Sequence, residues 1–157
     1  MARRELRPYQ MEDRERILAA LRLRRNPLYV LDTGAGKTRV FSEVADIVSS
    51  AGWRTVIFTH RWELLGQASR SLAALGLNHG LVVPGRALCH DILQVASIDT
   101  VDARLGHYLP YLESIRLAII DEAHHTAARK YMRVLEAMRR ALRLGVTATP
   151  YRTDGTG

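Results

Sequence analysis

The stretch "LYVLDTGAGKTRV", residues 28–40, constrains this chain more than any other. It sets a short apolar run, a glycine-broken turn and an amphipathic segment end to end, which predicts strand, loop and helix. The turn nearly matches the phosphate-binding pattern G-x-x-x-x-G-K-[ST]. Gly36, Lys37 and Thr38 fit it, and Leu31 stands where the first glycine is expected. Gly34 and Gly36 permit backbone conformations that turn amide N–H groups toward phosphate oxygens, and the following helix adds the positive end of its dipole. The segment Thr33, Gly34, Ala35, Gly36, Lys37 and Thr38 is therefore a candidate nucleotide cradle. In it Lys37 would neutralise the β- and γ-phosphates and the Thr38 hydroxyl would ligate Mg²⁺. A plain glycine turn carrying an unrelated lysine is the rival reading.

The rest of the chain repeats the alternation. Apolar runs at 28–31, 54–60, 80–83, 92–97, 116–121 and 143–149 read as strands. Helical spacing appears at 12–25, at 38–50 with Val40, Phe41, Val44, Ile47 and Val48 inward, at 61–75 and at 126–142. Residues 100–112 read as a helix or loop broken around Pro110. Near-continuous apolar strands alternating with helices predict an α/β fold with a mostly parallel sheet covered on both faces. In such sheets ligands bind beyond the carboxyl ends of the strands. The unusual residues fall there: the glycine loop, His60-Arg61, Asp121-Glu122 and the segment from Thr147 to Pro150.

The run "LAIIDEAHH" supplies acids to complement the loop. A buried strand would deliver Asp121 beside the phosphates, where a carboxylate can hold Mg²⁺, while Glu122 is set to orient or deprotonate an attacking water. Adjacent acids after a strand can also simply cap a helix. Charge balance points the same way. Against 16 acids stand 23 basic residues, a net charge of +7, which favours a polyanionic partner such as nucleic acid. Lysine occurs only at positions 37 and 130, so a chain written in arginine keeps a compact ammonium inside its glycine loop. The single cysteine, Cys89, forms no intrachain disulfide and fits a reducing cytoplasm. The six histidines show no metal-ligand spacing, and no apolar run approaches the ~18 residues of a membrane span.

Three segments in order, "DTGAGKT", "DEAHH" and "GVTATPYRTDG", resemble motifs I, II and III of superfamily 2 DEAD/DEAH-box helicases and translocases. "LRPYQ", "FTHRWELLGQ" and "VASIDT" resemble the family's adenine-side motif and its motifs Ia and Ib. The likeness runs from Leu6 to about Gly155 and is nearest to the motors of restriction enzymes, type III res subunits among them. It implies a RecA-like domain over residues 1–157 that uses ATP and Mg²⁺, with Lys37, Asp121, Glu122 and His124 as catalytic residues. It implies further that Gln10 and Arg7 lie beside the adenine, and that His124 couples the nucleotide to Thr147 and Thr149. His60, Arg61, Ser97 and Thr100 would face a nucleic-acid backbone, with DNA favoured over RNA.

Trp62 reads either as a platform for a base or, by preference, as a helix-start residue packed partly into the core. Arg139, Arg140 and Arg143 read as a solvated helix face. Asp32, where relatives more often carry proline or alanine, is expected to face solvent.

Motors of this kind close two RecA-like domains on ATP, and the second supplies an arginine finger. No such element follows Pro150, so the expectation is a first motor domain alone, cut from a longer protein or a natural short product, that binds ATP-Mg²⁺ and hydrolyses it poorly. A non-catalytic nucleotide-binding, nucleic-acid-binding or partner-docking module is the alternative. A small-molecule kinase is disfavoured by the absence of acceptor and lid segments.

Overall fold

The computed structural model describes residues 5–126 and 128–149. Six strands form one sheet: β1 (Leu28–Val30), β2 (Thr55–Thr59), β3 (Gly80–Val82), β4 (Leu93–Ser97), β5 (Leu117–Asp121) and β6 (Leu142–Thr147). Their spatial order is β1-β6-β5-β2-β4-β3 and every pairing is parallel. Helices α1 (Pro8–Arg22), α2 (Lys37–Ser50) and α3 (Trp62–Ala74) cover one face. Helices α4 (Ile98–Ala103), α5 (Leu105–Ser114) and α6 (Arg129–Glu136) cover part of the other.

The two cores follow from the period of a strand. Leu117 and Ile119 of β5 face the α1–α3 core, and Ala118 and Ile120 face the α4–α6 core. On β2, Ile57 looks one way and Val56 and Phe58 the other. These two central strands have no exposed residue, which explains why they read as unbroken apolar runs. Each fully buried side chain of this size contributes roughly 1.5–3 kcal/mol before the entropy of ordering it is subtracted.

All six predicted strands form, and the fold is RecA-like as expected. The helices need four corrections. The break in the 100–112 segment falls at Arg104, between α4 and α5, while Pro110 lies inside α5. There Tyr108, Tyr111 and Leu112 anchor the helix in the core and outweigh the one hydrogen bond that proline removes. Helix α6 stops at Glu136, so Arg139 and Arg140 lie in the turn before β6 and Arg143 lies on β6 itself. Ile47 is exposed; Ala45 takes its place in the buried face of α2. Trp62 is 64% exposed and does not pack into the core.

Candidate nucleotide and nucleic-acid sites at the carboxyl edge

Strands β1, β6 and β5 are neighbours, so their carboxyl ends bring the glycine loop, Thr147 and the acids Asp121 and Glu122 side by side. The loop leaves β1 with Leu31 partly buried, its N–H donating to the Thr147 carbonyl at 3.1 Å. Leu31 thus lies one residue past the strand that it was expected to end. The chain then turns at Asp32, whose carbonyl accepts from Ala35 N–H at 3.1 Å; the Asp32 side chain faces solvent, as does Thr33. Gly34 (φ +83°) and Gly36 (φ +94°) take left-handed conformations that suit glycine, and α2 begins at Lys37.

The loop is held from outside by α1. Tyr9 Oη donates to the Ala35 carbonyl at 2.7 Å, and Gln10 Nε2 donates to the same oxygen at 3.3 Å. Gln10 is buried, and its Oε1 accepts from Arg7 N–H at 2.9 Å. A Cβ at Gly36 would displace the Gln10 amide from the loop, and the positive φ independently favours glycine there. Gln10 and Arg7, expected beside an adenine, are therefore seen bracing the loop. Tyr9 was not singled out in the sequence; only its place between them gave any sign of it.

Burial and the neighbouring Glu122 carboxylate push the Asp121 carboxyl up to about 6, against which its hydrogen bond from Glu122 N–H and the charge of Lys37 act to lower it. That opposing effect puts Lys37 within electrostatic reach of Asp121 across the site. Glu122 adopts a left-handed backbone (φ 54°, ψ 51°), a costly state of roughly 1–2 kcal/mol for a residue with a Cβ. The 3.0 Å bond from its N–H to Asp121 Oδ1 offsets part of that cost.

His124 ties the acids to β6. Its Nδ1 lies 2.9 Å from Thr147 Oγ1 and 3.3 Å from Glu122 Oε2. Thr147 Oγ1 already donates to the Thr149 carbonyl at 2.9 Å and accepts from Thr149 N–H at 3.2 Å. Glu122, as a carboxylate, can only accept, so both contacts require the proton on His124 Nδ1. The His124 ring packs 4.1 Å from that of His125 at a tilt of 44°, and His125 packs 4.4 Å from His60 at a tilt of 57°. Burial, helped by the charges of His125 and Arg61, lowers the His60 pKa, and neither of its buried ring nitrogens has a hydrogen-bond partner among the described residues. His125 had been given no role from the sequence; only its adjacency to His124 marked it.

His60, Arg61 and Ser97 line one small cleft of about 60 Å³ with Trp62 and Asp99. Ser97 Oγ is engaged as the cap of α4, accepting from Thr100 N–H at 3.4 Å. Thr100 is buried and borders a different cavity, beside Arg86, Arg104 and His107. The structure thus places three of the four residues expected to face nucleic acid in one cleft, with Thr100 joined to Ser97 through its N–H but lining the neighbouring cavity. Pro150 and the rest of the third motif lie outside the described residues.

The sequence profile of the family described as "Type III restriction enzyme, res subunit" matches residues 3–152. The chain belongs to this family. It is a motor domain of the superfamily 2 helicases. Among curated relatives, it is 32% identical over 152 residues to the DNA 3'-5' translocase XPB2 of Sulfurisphaera tokodaii, covering 96% of this chain and 32% of that protein. It is also 34% identical over 124 residues to a 51.5 kDa protein of a Lactococcus phage, covering 79% and 24%.

Members of the family therefore extend well beyond this domain; the chain spans about a quarter to a third of the length of these relatives. Among solved structures, the UvsW of bacteriophage T4 superposes with a TM-score of 0.77 at 14% identity, over 93% of this chain and 31% of that one. The Sulfolobus solfataricus SWI2/SNF2 ATPase core in complex with dsDNA superposes at 0.74 with 17% identity, over 94% and 33%.

Proposed function

We propose that this chain is the ATP-binding first motor domain of a nucleic-acid helicase or translocase that acts on DNA. The observation carrying this reading is the convergence, on three adjacent strand ends, of the Lys37 loop, the Asp121-Glu122 pair and the Thr147–His124 contact. Lys37 and the amides of residues 33–38 would hold the β- and γ-phosphates. Thr38 and Asp121 offer only oxygen donors, which suit a hard cation such as Mg²⁺. When bound with ATP, that ion would neutralise charge developing on the transferred phosphoryl group.

Glu122 would hold the attacking water and take its proton. His124, with its Nδ1 proton shared between Glu122 and Thr147, would report the presence of the γ-phosphate to β6. The stack continues that report through His125 to His60, in the cleft where a phosphodiester backbone would pass. Contacts to the backbone alone suit a motor that tracks sequence blindly. The DNA translocase relative and the DNA-bound structural neighbour support DNA over RNA. Hydrolysis by the domain alone would be weak for want of a second domain.

The test is ATP hydrolysis and nucleotide binding with and without single- and double-stranded DNA, beside Lys37→Ala and Glu122→Gln. DNA-stimulated turnover abolished by both substitutions is the expected outcome. Nucleotide binding without turnover under any condition would favour the binding-module alternative.

A further inference from the structure

Parallel strands have two chemically distinct ends, and six arginines of this chain gather at the end away from the nucleotide site. Arg54 precedes β2, Arg116 precedes β5, Arg139 and Arg140 precede β6, and Arg24 and Arg25 precede β1. Parallel register puts all four strand starts on one side: Thr55 pairs with Leu117, Leu117 with Leu142, and Leu28 with Gly145. Backbone bonds stitch the approaching loops together, Arg116 N–H to the Arg54 carbonyl and Leu142 N–H to the Arg116 carbonyl, each at 2.9 Å.

Arg24, Arg116, Arg139 and Arg140 line one open cavity of about 700 Å³. Arg139 and Arg140 also line a second cavity of about 710 Å³, which shares Glu113 with the first and adds Glu136. The two form a continuous groove in which arginine outnumbers acid.

None of the six arginines is in an ion pair among the described residues. The Arg116 guanidinium carbon lies 4.3 Å from the Trp53 ring centroid, and Arg54 donates to Ser114 Oγ at 3.1 Å, so two guanidinium groups are pre-positioned. Some arginines elsewhere are neutralised by acids: Arg16 by Glu12, Arg39 by Glu43, Arg133 by Asp102. Of the four residues expected to face nucleic acid at the carboxyl edge, only Arg61 carries a full charge. A share of the basic excess that points to a polyanion thus lies at the other edge.

We infer that the amino edge of the sheet is a second nucleic-acid surface, at which the Arg24–Arg116–Arg139–Arg140 groove takes the phosphate backbone of a duplex. Planar guanidinium groups match phosphate oxygens in pairs, and a groove of such groups without bases to read binds without regard to sequence. Its placement separates it from the motor track, so it would hold a neighbouring stretch of the same DNA while the carboxyl edge cycles with ATP. The inference rests on the proposed nucleic-acid function and adds to it a site which that function does not require.

The experiment is fluorescence anisotropy of a short labelled duplex, titrated with the full 157-residue chain without nucleotide at several salt concentrations. Arg139→Ala/Arg140→Ala is compared with Arg16→Ala/Arg70→Ala, which removes the same charge from exposed positions off this edge. The groove pair is expected to weaken binding about tenfold at low salt and to flatten the slope of log affinity against log salt by about two. The control pair is expected to change neither by more than about twofold, and Arg139→Lys/Arg140→Lys to restore most of the affinity. Equal losses in both alanine pairs, or none in the groove pair, would overturn the inference while leaving the motor reading intact. Tighter binding of the wild type to phosphatidylserine vesicles than to duplex, lost in the groove pair, would overturn the choice of partner. Failure of the wild-type chain to bind DNA at any salt would sink both.

Discussion

The two ends of the sheet in this domain hold their polar groups in opposite ways. At the carboxyl edge the loop, the acids and the sensor are cross-braced: Gln10 and Tyr9 grip Ala35, Asp121 caps Glu122, and His124 bridges Glu122 to Thr147. At the amino edge six arginines stand with no acid joined to them among the described residues. A site that must distinguish one chemical state from another needs fixed geometry, since a loosely held base or sensor loses its differential contact. A surface that only neutralises phosphates needs charge and reach. The contrast teaches that a share of this chain's basic excess and its motifs describe two different places.

The contrast can be broken or sharpened by substitution on either side. The largest effect is expected at Glu122: Glu122→Gln should lower DNA-stimulated hydrolysis about 10²–10⁴-fold with nucleotide affinity retained, measured by phosphate release. Equal hydrolysis in the variant would remove Glu122 from the reaction. His125→Ala comes next. It should cut the stimulation of hydrolysis by DNA roughly fivefold or more, and leave the His60 ring resonance unresponsive when an ATP analogue is added. A His60 resonance that still moves would show that the histidine stack carries nothing.

A smaller effect concerns stability against pH. Burial raises the folded-state pKa of Asp121 to about 6, above its unfolded value. The contribution of this group to stability is therefore fully present below the ordinary carboxylate range, and is lost as pH rises through about 6. Asp121→Asn should stabilise the nucleotide-free chain at neutral pH by on the order of 2 kcal/mol and flatten its pH dependence between about 4 and 6. Denaturant melts across that range would reveal it, and an unchanged profile would mean the carboxylate is better solvated than its burial implies. The smallest effect is at the amino edge. Arg139→Ala/Arg140→Ala should shift stability by no more than about 0.5 kcal/mol while changing the salt dependence of DNA binding. A large loss of stability there would recast the arginines as structural.

The same two regions show what a sequence can and cannot tell. Within each motif the residues are near neighbours, so Lys37 is marked by its glycine loop and Asp121 by the apolar strand before it, while His124 was marked only through the resemblance to the family's motifs. Strand runs were legible because β2 and β5 are buried on both faces and carry no polar interruption. The helix errors share a cause: local signals were outweighed by packing. Pro110 was read as a break, yet the buried Tyr108, Tyr111 and Leu112 keep α5 intact around it. The amphipathic run after residue 126 was extended too far, because Arg139 and Arg140 lie where the chain turns toward β6.

The amino-edge groove was hidden altogether. Arg24, Arg116 and Arg139 are far apart in sequence, and only parallel register brings their loops together. His125 and Tyr9 were missed for a related reason, since a ring stack and a hydroxyl reaching another helix's loop leave no periodic mark.

The claim on which the rest depends is that the loop after β1 holds nucleotide phosphates. It is tested most directly by titrating a fluorescent ATP analogue with Mg²⁺ into the wild-type chain and Lys37→Ala. Loss of a charged hydrogen bond of about 1.5–3 kcal/mol predicts affinity weakened roughly 10- to 100-fold in the variant, with an unchanged fold. An affinity equal to that of the wild type would contradict the assignment.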